Sequence, residues 1–249
     1  MAAFITGGTV YPTQGFVKPR KAVASNPNVG LYVAAVMADN PAGYWHLGDV
    51  DPFADSSGNN VVLSSPFGTP VTTKLPALVP NMGADGCVNY AGASALQAGT
   101  VSPAHNLGDI LTLEAWVKLN VGPPGATCGV ISKQNGAYYL RIIPASGRLD
   151  FLASQVADIA QSTVGITDTN VHHVVATKNG PSVHLYIDGV DVTGTVTNAT
   201  LVNNAVNLRV GYDVSSDPMN GRMDEVAIYP TALSPSRVQY HYQVGLLAG

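Results

Sequence analysis

Acidic side chains are the groups in this sequence that could most directly carry out catalysis. Glycosidases place two carboxylates on one face of a cleft, one to protonate the leaving oxygen and one to attack or to activate water. The chain has only two glutamates, Glu114 and Glu225, and they lie far apart in sequence. Asp224 and Glu225 are adjacent, so strand alternation predicts that they point to opposite faces and cannot pair. We therefore predict a non-enzymatic protein. A glycoside hydrolase, with its pair of carboxylates brought together from distant strands, ranks third, after the two functions given at the end of this subsection.

Aromatic side chains beside polar ones could instead bind a sugar. Glu114 and Trp116 alternate onto the same strand face, whereas Tyr138 and Tyr139 must point oppositely, so that one of them could be exposed. These four residues form the predicted glycan-binding set. For Trp116 a place in the core is the favoured alternative, because burial of its large apolar area is favourable. The adjacent His172 and His173 cannot chelate one ion together, and one buried and one exposed histidine is expected.

Short strands and tight turns must position these residues. The segment 111–119 alternates between apolar and polar residues, and further strands are predicted at 129–132, 137–143, 148–153, 172–177, 182–187, 190–193, 207–212 and 223–229. Asn-Gly and Asp-Gly pairs at 135–136, 179–180 and 188–189 indicate hairpin turns. Helices are predicted at 30–39 and after Ser234, where serine at the cap is followed by proline. This spacing is typical of an all-β, two-sheet antiparallel jelly-roll sandwich with short flanking helices.

Composition limits the class of partner. Apolar residues make up 46% of the 249 residues and charged residues only 11%, with a net charge of −4. An acidic chain with one short basic cluster is not expected to bind nucleic acid, and it contains no eighteen-residue apolar run that predicts a membrane span. Cys87 and Cys128 could form one disulfide or remain two buried thiols.

The first forty residues are predicted to form an extended arm that ends in the short helix. Residues 1–28 are aperiodic and rich in proline, glycine and threonine, so they should contribute little to a core. The segment lacks the basic start and long apolar stretch of a signal peptide. We expect Phe16, Lys18, Arg20 and Lys21 to hold the arm against other subunits of an assembly, and we expect the chain to form a homo-oligomer.

Several motifs, in a fixed order, resemble the laminin-G-like (concanavalin A-like) jelly-roll family. They are YWHLGD at 44–49, DSSGN at 55–59, LEAWVK at 113–118, HHVVAT at 172–177, LYIDG at 185–189, GRMDEVAIY at 221–229 and ALS at 232–234. The resemblance covers about residues 38–245 and implies one such domain over 41–249, after an arm of residues 1–40. The lead-in at 36–41 is similar to examples from bacteriophage tail and bacterial surface proteins.

The resemblance also implies possible ligands. Related jelly rolls often hold a structural calcium near the first and last strands, and Asp55, Asn59 and Asp224 match positions where its ligands would be expected. The alternative is that Asp55 forms a turn by bonding its own backbone and that Asp224 is a structural hydrogen-bonding carboxylate.

Two functions follow as expectations. The first is a virion structural protein, such as a phage tail, head-decoration or fibre component, which is located at the virion surface and anchored by its arm. The alternative is a carbohydrate-binding adhesion module at the cell surface or outside the cell, which could depend on calcium. Both functions are compatible with the resemblance, because this fold hosts lectins, adhesion modules, glycosidases and virion proteins.

Overall fold

A computed structural model of the protein describes residues 30–48, 51–67, 72–80, 82, 85–91, 95–213 and 217–247. Within them the chain forms two α-helices, a short 3-10 helix at Pro103–His105 and sixteen strands. In chain order they are α1 (Leu31–Ala38), β1 (Gly43–Trp45), β2 (Leu63–Phe67), β3 (Thr72–Pro76), β4 (Gly86–Ala91), β5 (Ala95–Ala98), β6 (Ile110–Leu119), β7 (Cys128–Ser132), β8 (Tyr138–Ile142), β9 (Arg148–Ala153), β10 (Ala157–Gly165), β11 (Val171–Asn179), β12 (Ser182–Ile187), β13 (Val190–Asp191), β14 (Thr193–Val196), β15 (Arg209–Val210), β16 (Asn220–Tyr229) and α2 (Pro235–Leu246). The predicted arm residues Phe16, Lys18, Arg20 and Lys21 lie outside the described residues.

The strands form two antiparallel sheets that pack as a jelly-roll sandwich, as the sequence predicts. Sheet I has the order β13-β12-β11-β6-β16-β4-β3, with β1 also paired to β16. Sheet II has the order β14-β10-β9-β8-β7-β15-β5-β2. Neighbouring strands are often far apart in sequence, as where β6 lies between β11 and β16.

Strand alternation determines which side chains enter the space between the sheets. Leu113, Ala115 and Val117 of β6 lie in the core between the sheets, whereas Trp116 belongs to a second apolar cluster on the outer face of sheet I. The predicted division of this strand into two faces is therefore confirmed. Burial of one face of each sheet is the main apolar contribution to folding.

Two of the three predicted hairpin turns are confirmed by their backbone angles. Asn135 and Gly136 have φ values of 59° and 80°, and Asp188 and Gly189 have values of 54° and 74°. Two consecutive residues with positive φ match the right-handed twist of the flanking strands, and this conformation favours Asn-Gly and Asp-Gly. These two turns join the strands that their dipeptides predicted. In the third, Asn179 pairs with Ser182, so Gly180 and Pro181 form the turn between β11 and β12, and of the pair Asn179-Gly180 only Gly180 has a positive φ, 57°.

Both predicted helices are present and lie on the outer face of sheet I. Ser234 caps α2 by accepting a hydrogen bond from the Arg237 backbone N–H at 3.3 Å. Tyr32 and Val36 of α1 are buried in the outer apolar cluster, which also contains Trp116. Although the sequence-based division at residue 40 groups α1 with the arm, its packing makes this helix part of the sandwich.

A β-bulge in β16 corrects the expectation for Asp224 and Glu225. The pairing with β6 passes from Asp224 opposite Trp116 to Ala227 opposite Glu114, and Glu225 has a φ of 50°. A bulge inserts an extra residue and interrupts alternation. Both carboxylates therefore face the outer side of sheet I, and the prediction of opposite faces is wrong.

Cys87 and Cys128 are both buried and are not bonded to each other, which agrees with the alternative of two buried thiols.

No helix in the described part of the chain is long and apolar enough to cross a membrane.

Candidate functional site

Glu114 lies buried at the centre of a hydrogen-bonded network on the outer face of sheet I. Its carboxylate accepts hydrogen bonds from the hydroxyls of Tyr32 at 2.8 Å and Tyr229 at 2.7 Å. His173 Nε2 lies 2.8 Å from one carboxylate oxygen, and His241 Nδ1 lies 3.1 Å from both. Glu114 therefore joins α1, α2 and strands of sheet I, and it presents no surface to solvent.

Trp116 is also covered by the helices. Its side chain is 1% exposed, stacks on Tyr242 with ring centroids 6.0 Å apart and meets the edge of Tyr32 at 5.9 Å. This agrees with the core alternative for Trp116. The neighbouring His173 is buried, and His172 is partly exposed between Asp168 and Asp188. This agrees with the expectation of one buried and one exposed histidine.

Tyr138 and Tyr139 do point to opposite faces, but neither is exposed. Tyr138 lies in the core and donates to the His105 carbonyl at 3.1 Å. Tyr139 lies on the outer face of sheet II and donates to Asp217 Oδ2 at 3.1 Å, with only 1% of its surface exposed. A buried ring cannot stack on a sugar, so this structure corrects the predicted platform of Glu114, Trp116, Tyr138 and Tyr139.

The residues expected to bind calcium carry structural hydrogen bonds. Asp55 accepts backbone N–H groups from Tyr44, Ser57 and Val61 at 2.9–3.1 Å, and Asp224 Oδ2 accepts that of Leu78 at 2.7 Å. The Asn59 amide donates to the Ala42 carbonyl at 3.0 Å. These bonds match the alternative in which Asp55 stabilises a turn and Asp224 is a structural hydrogen-bonding carboxylate. Calcium binding by this set of residues stays a prediction.

A row of planar polar side chains crosses the outer face of sheet II. Arg141 of β8 lies opposite Asp150 of β9, and Asp150 lies opposite Gln161 of β10. Arg141 is bound to Asp150 Oδ2 through Nε at 2.8 Å and through Nη2 at 2.7 Å, and Nη2 lies 3.8 Å from Asp158. Burial raises the pKa of the Asp150 carboxyl, and the Arg141 ion pair opposes that rise. Two contacts to one carboxylate hold the guanidinium in a defined orientation.

This row borders a groove, which we call the sheet II groove. It has a volume of about 410 Å³, and its polar lining side chains are Arg148, Asp158, Gln161, Ser162, Thr163, Thr195 and Thr197. The Asp158 side chain is 59% exposed and the Arg141 side chain is 25% exposed. The groove therefore offers solvent-facing hydrogen-bond donors and acceptors on a rigid sheet, but no aromatic side chain lines it.

The sequence did not single out the residues of this groove. They are scattered over β9, β10 and β14, and single arginine, aspartate, glutamine and threonine residues are ordinary on exposed strands. The polar residues of β10 do not follow a simple alternation, because the register shifts between Asp158 and Ala160, so the period of two gave no signal for this groove.

Comparisons with known proteins agree with this architecture. The family model of the concanavalin A-like lectin/glucanases superfamily matches residues 92–239. Domain 4 of AbnA, a GH43 extracellular arabinanase from Geobacillus stearothermophilus solved in complex with arabinotriose, is similar with a TM-score of 0.62 and 18% identity over 82% of this chain and 98% of that one.

Toxin binding domains have the same fold. The binding domain of Paraclostridial Mosquitocidal Protein 1 has a TM-score of 0.63 at 16% identity and covers 83% of this chain. That of botulinum neurotoxin DC, in complex with rat synaptotagmin II, has a TM-score of 0.63 at 15% identity and covers 85%. The chain spans about half the length of these two domains, 52% and 53%. No curated protein matches the sequence. Because the family model covers more than half of the chain, the protein belongs to the concanavalin A-like lectin/glucanase superfamily.

Proposed function

We propose that this protein is a non-catalytic carbohydrate-binding module whose glycan lies in the sheet II groove. The observation that carries the proposal is the row of Arg141, Asp150 and Gln161 beside an open groove on a sheet face. Sugars present many hydroxyl groups, and planar side chains with fixed orientation are suited to hydrogen-bond them.

The two sheets differ in the accessibility of their outer faces. α1 and α2 cover the outer face of sheet I, and the apolar cluster buried there includes Trp116 and Tyr229. α1 and α2 both belong to the sheet I side, and the sheet II groove of about 410 Å³ falls within the usual range for small-ligand sites of roughly 300–1,000 Å³. The similarity to an arabinanase domain solved with arabinotriose also supports a sugar ligand.

The positions of the two glutamates support a non-catalytic role. Glu114 is buried under the helices and is bound by two tyrosines and two histidines. Glu225 is also fully buried, and its carboxylate contacts Tyr44 and His46. Neither lines the sheet II groove, so neither could protonate a glycosidic oxygen there.

A glycan array followed by titration calorimetry tests this proposal. We expect binding to at least one oligosaccharide, and Gln161→Ala or Asp158→Ala should weaken it about fivefold or more, since one hydrogen bond contributes about 1 kcal/mol. Gln243→Ala is the matched control, because Gln243 is exposed on α2. Absence of any glycan ligand, or equal affinity of the groove variants and the control, would contradict the proposal.

A second candidate is a structural subunit of a virion, located at its surface. It is supported by the 11% content of charged residues, by the basic cluster Lys18, Arg20 and Lys21, and by apolar side chains exposed on α2. There Tyr240 is 42% exposed, Leu246 45% and Leu247 43%. Adjacent exposed apolar side chains favour a protein contact, and the two functions are compatible.

Deletion of residues 1–29 tests the assembly role. We expect the shortened chain to keep the circular dichroism and thermal unfolding of the sandwich, because the described residues contain both apolar clusters. Multi-angle light scattering should show that the full chain forms an oligomer and that the shortened chain does not. An unchanged oligomer after deletion would exclude the arm as the means of assembly.

A further inference from the structure

Three potential metal ligands meet where β1, β4 and β16 approach one another. His46 follows β1 directly, Asp85 precedes β4 and Glu225 lies in the bulge of β16. Their ligand atoms all lie within 4.8 Å of one another, and His46 Nδ1 is 3.0 Å from Glu225 Oε1. We call these three residues the His46 cluster. Strand geometry places it on the outer side of sheet I, away from the sheet II groove.

The cluster is accessible from solvent through a cleft of about 500 Å³. Its lining includes His46, Asp51 and Asp85. The His46 side chain is 27% exposed, whereas that of Glu225 is fully buried. An ion could therefore enter past the imidazole and reach a carboxylate that is fixed in the fold.

Gly48 provides the space that the Asp85 carboxylate occupies. A Cβ atom at Gly48 would lie 1.5 Å from Asp85 Oδ1, so any other residue would displace this carboxylate. Asp85 Oδ1 is also fixed by the backbone N–H of Gly86 at 2.9 Å. The backbone thus places Asp85 beside the other two ligands, which is the preorganisation that a metal site needs.

The carboxyl groups in and beside the cluster outnumber its basic partners among the described residues. Asp224 precedes Glu225 and is fully buried, and its Oδ1 has no hydrogen-bond partner among the described residues. Within the described residues no lysine or arginine makes an ion pair with Asp85, Asp224 or Glu225; the one ion-pair partner that any of them has is His46. Buried carboxylates are costly unless they are paired or coordinate a cation.

We propose that His46, Asp85 and Glu225 bind a divalent transition-metal ion of the Zn²⁺ class. One imidazole and two carboxylates supply nitrogen and oxygen ligands that suit Zn²⁺, whereas Ca²⁺ takes six to eight oxygen ligands. Three protein ligands leave a fourth tetrahedral position for water or a further donor. The ion would link residues 46, 85 and 225, and so join the beginning of the sandwich to its last strand.

Titration of the chelator-treated full chain with Zn²⁺ tests the site. Calorimetry should give one saturable site, and Zn²⁺ should raise the thermal unfolding temperature by several degrees, because an ion that binds only the folded state stabilises it. His46→Gln and Asp85→Asn should each weaken binding at least tenfold. Asp51→Asn is the matched control, since Asp51 lines the same cleft but is not one of the three ligands.

Other results would overturn the proposal. His172 lies between Asp168 and Asp188, so loss of Zn²⁺ binding in His172→Gln but not in His46→Gln would place the ion there instead. Absence of saturable binding, or binding of Ca²⁺ in place of Zn²⁺, would also contradict it. A shift of the His46 imidazole NMR signals on addition of Zn²⁺ to the unmodified protein is required as well, and it decides the matter if a variant fails to fold.

Discussion

Glu114 shows how one buried carboxylate can organise an interface between helices and a sheet. Its carboxylate contacts Tyr32, His173, Tyr229 and His241, which come from four different elements. Burial alone would raise the pKa of Glu114, but His241 and His173 hold it well below the ordinary value. The negative charge of Glu114 in turn raises the pKa of His241, against the effect of burial. The pair is thus stabilised in its charged form.

The sign of these shifts predicts how stability depends on pH. The lowered pKa of Glu114 contributes stability above its ordinary value of 4.5, and this is lost as the pH falls through the folded-state pKa. The raised pKa of His241 contributes stability below 6.5, and this is lost as the pH rises through its folded-state pKa. Asp39 and Arg237 also contact His241. The Asp39 carboxylate raises the pKa of His241, and the Arg237 guanidinium lowers it.

Glu114→Gln should therefore destabilise the protein most at mildly acidic pH. We expect a loss of about 3–5 kcal/mol in the free energy of unfolding near pH 6, because removal of one partner leaves buried polar groups without compensation. The loss should become smaller as the pH rises through the pKa of His241. Urea unfolding of both proteins at about pH 6 and about pH 8.5 measures the difference.

The control for this prediction is Asp109→Asn, because Asp109 contacts the Lys178 ammonium at 3.5 Å and the Leu201 backbone N–H at 2.8 Å, and no ion pair joins it to a histidine among the described residues. Its cost should be the same at the two pH values. An equal cost of Glu114→Gln at both would contradict the role of His241.

Sequence patterns predict the faces of residues but not what covers them. Alternation along β6 correctly groups Glu114 with Trp116, yet the same pattern fits an exposed platform and a face buried under helices. The distinction depends on α1 and α2, whose contacts cross 82 residues of sequence for Tyr32 and 127 for His241. Local patterns carry no information about contacts at that distance.

At the scale of elements, the docking of α2 depends on a glycine. Gly245 is buried in this helix, and a Cβ atom there would lie 2.3 Å from the Trp116 ring. Glycine is unfavourable inside helices, so its presence here indicates a packing requirement. The close approach allows the helix to cover the indole.

Gly245→Ala should consequently destabilise the protein despite the higher helix propensity of alanine. We expect a loss of about 1–3 kcal/mol, which is typical of overpacking in a core. Gly125→Ala is the control, because a Cβ atom added there would meet no other atom within 4 Å and the φ of Gly125 is not positive. Thermal unfolding of the two variants measures the contrast, and a stabilised Gly245→Ala protein would show that α2 can move without cost.

Turns were more predictable than the bulge, for a physical reason. The Asn-Gly pair at 135–136 encodes its turn locally, because few other dipeptides tolerate positive φ at both residues. The Asp-Glu pair at 224–225 has no such local preference. Its bulge is held by contacts of Glu225 with His46 and Tyr44, which lie about 180 residues earlier in the chain.

At the scale of the whole molecule, the two sheets differ in how their outer faces are covered. Sheet I buries its outer face under α1 and α2, and sheet II leaves a polar groove open. If the glycan lies in that groove, binding should depend on access to one side of the sandwich only. This dependence can be measured without any change to Arg141, Asp150, Asp158 or Gln161.

A bulky label attached to either side of the sandwich distinguishes the two faces. Cys87 and Cys128 are buried, so they should react slowly with a maleimide, and an introduced cysteine can be labelled selectively. Thr195→Cys places a polyethylene glycol label at the rim of the sheet II groove, and Gln239→Cys places it on the exposed side of α2. We expect the first label to abolish glycan binding and the second to leave the affinity within about twofold, since the free energy of binding is changed only where the label excludes the ligand. Loss of binding with the label on α2 alone would mean that recognition occurs on the helical side, and the division of function between the sheets would have to be reversed.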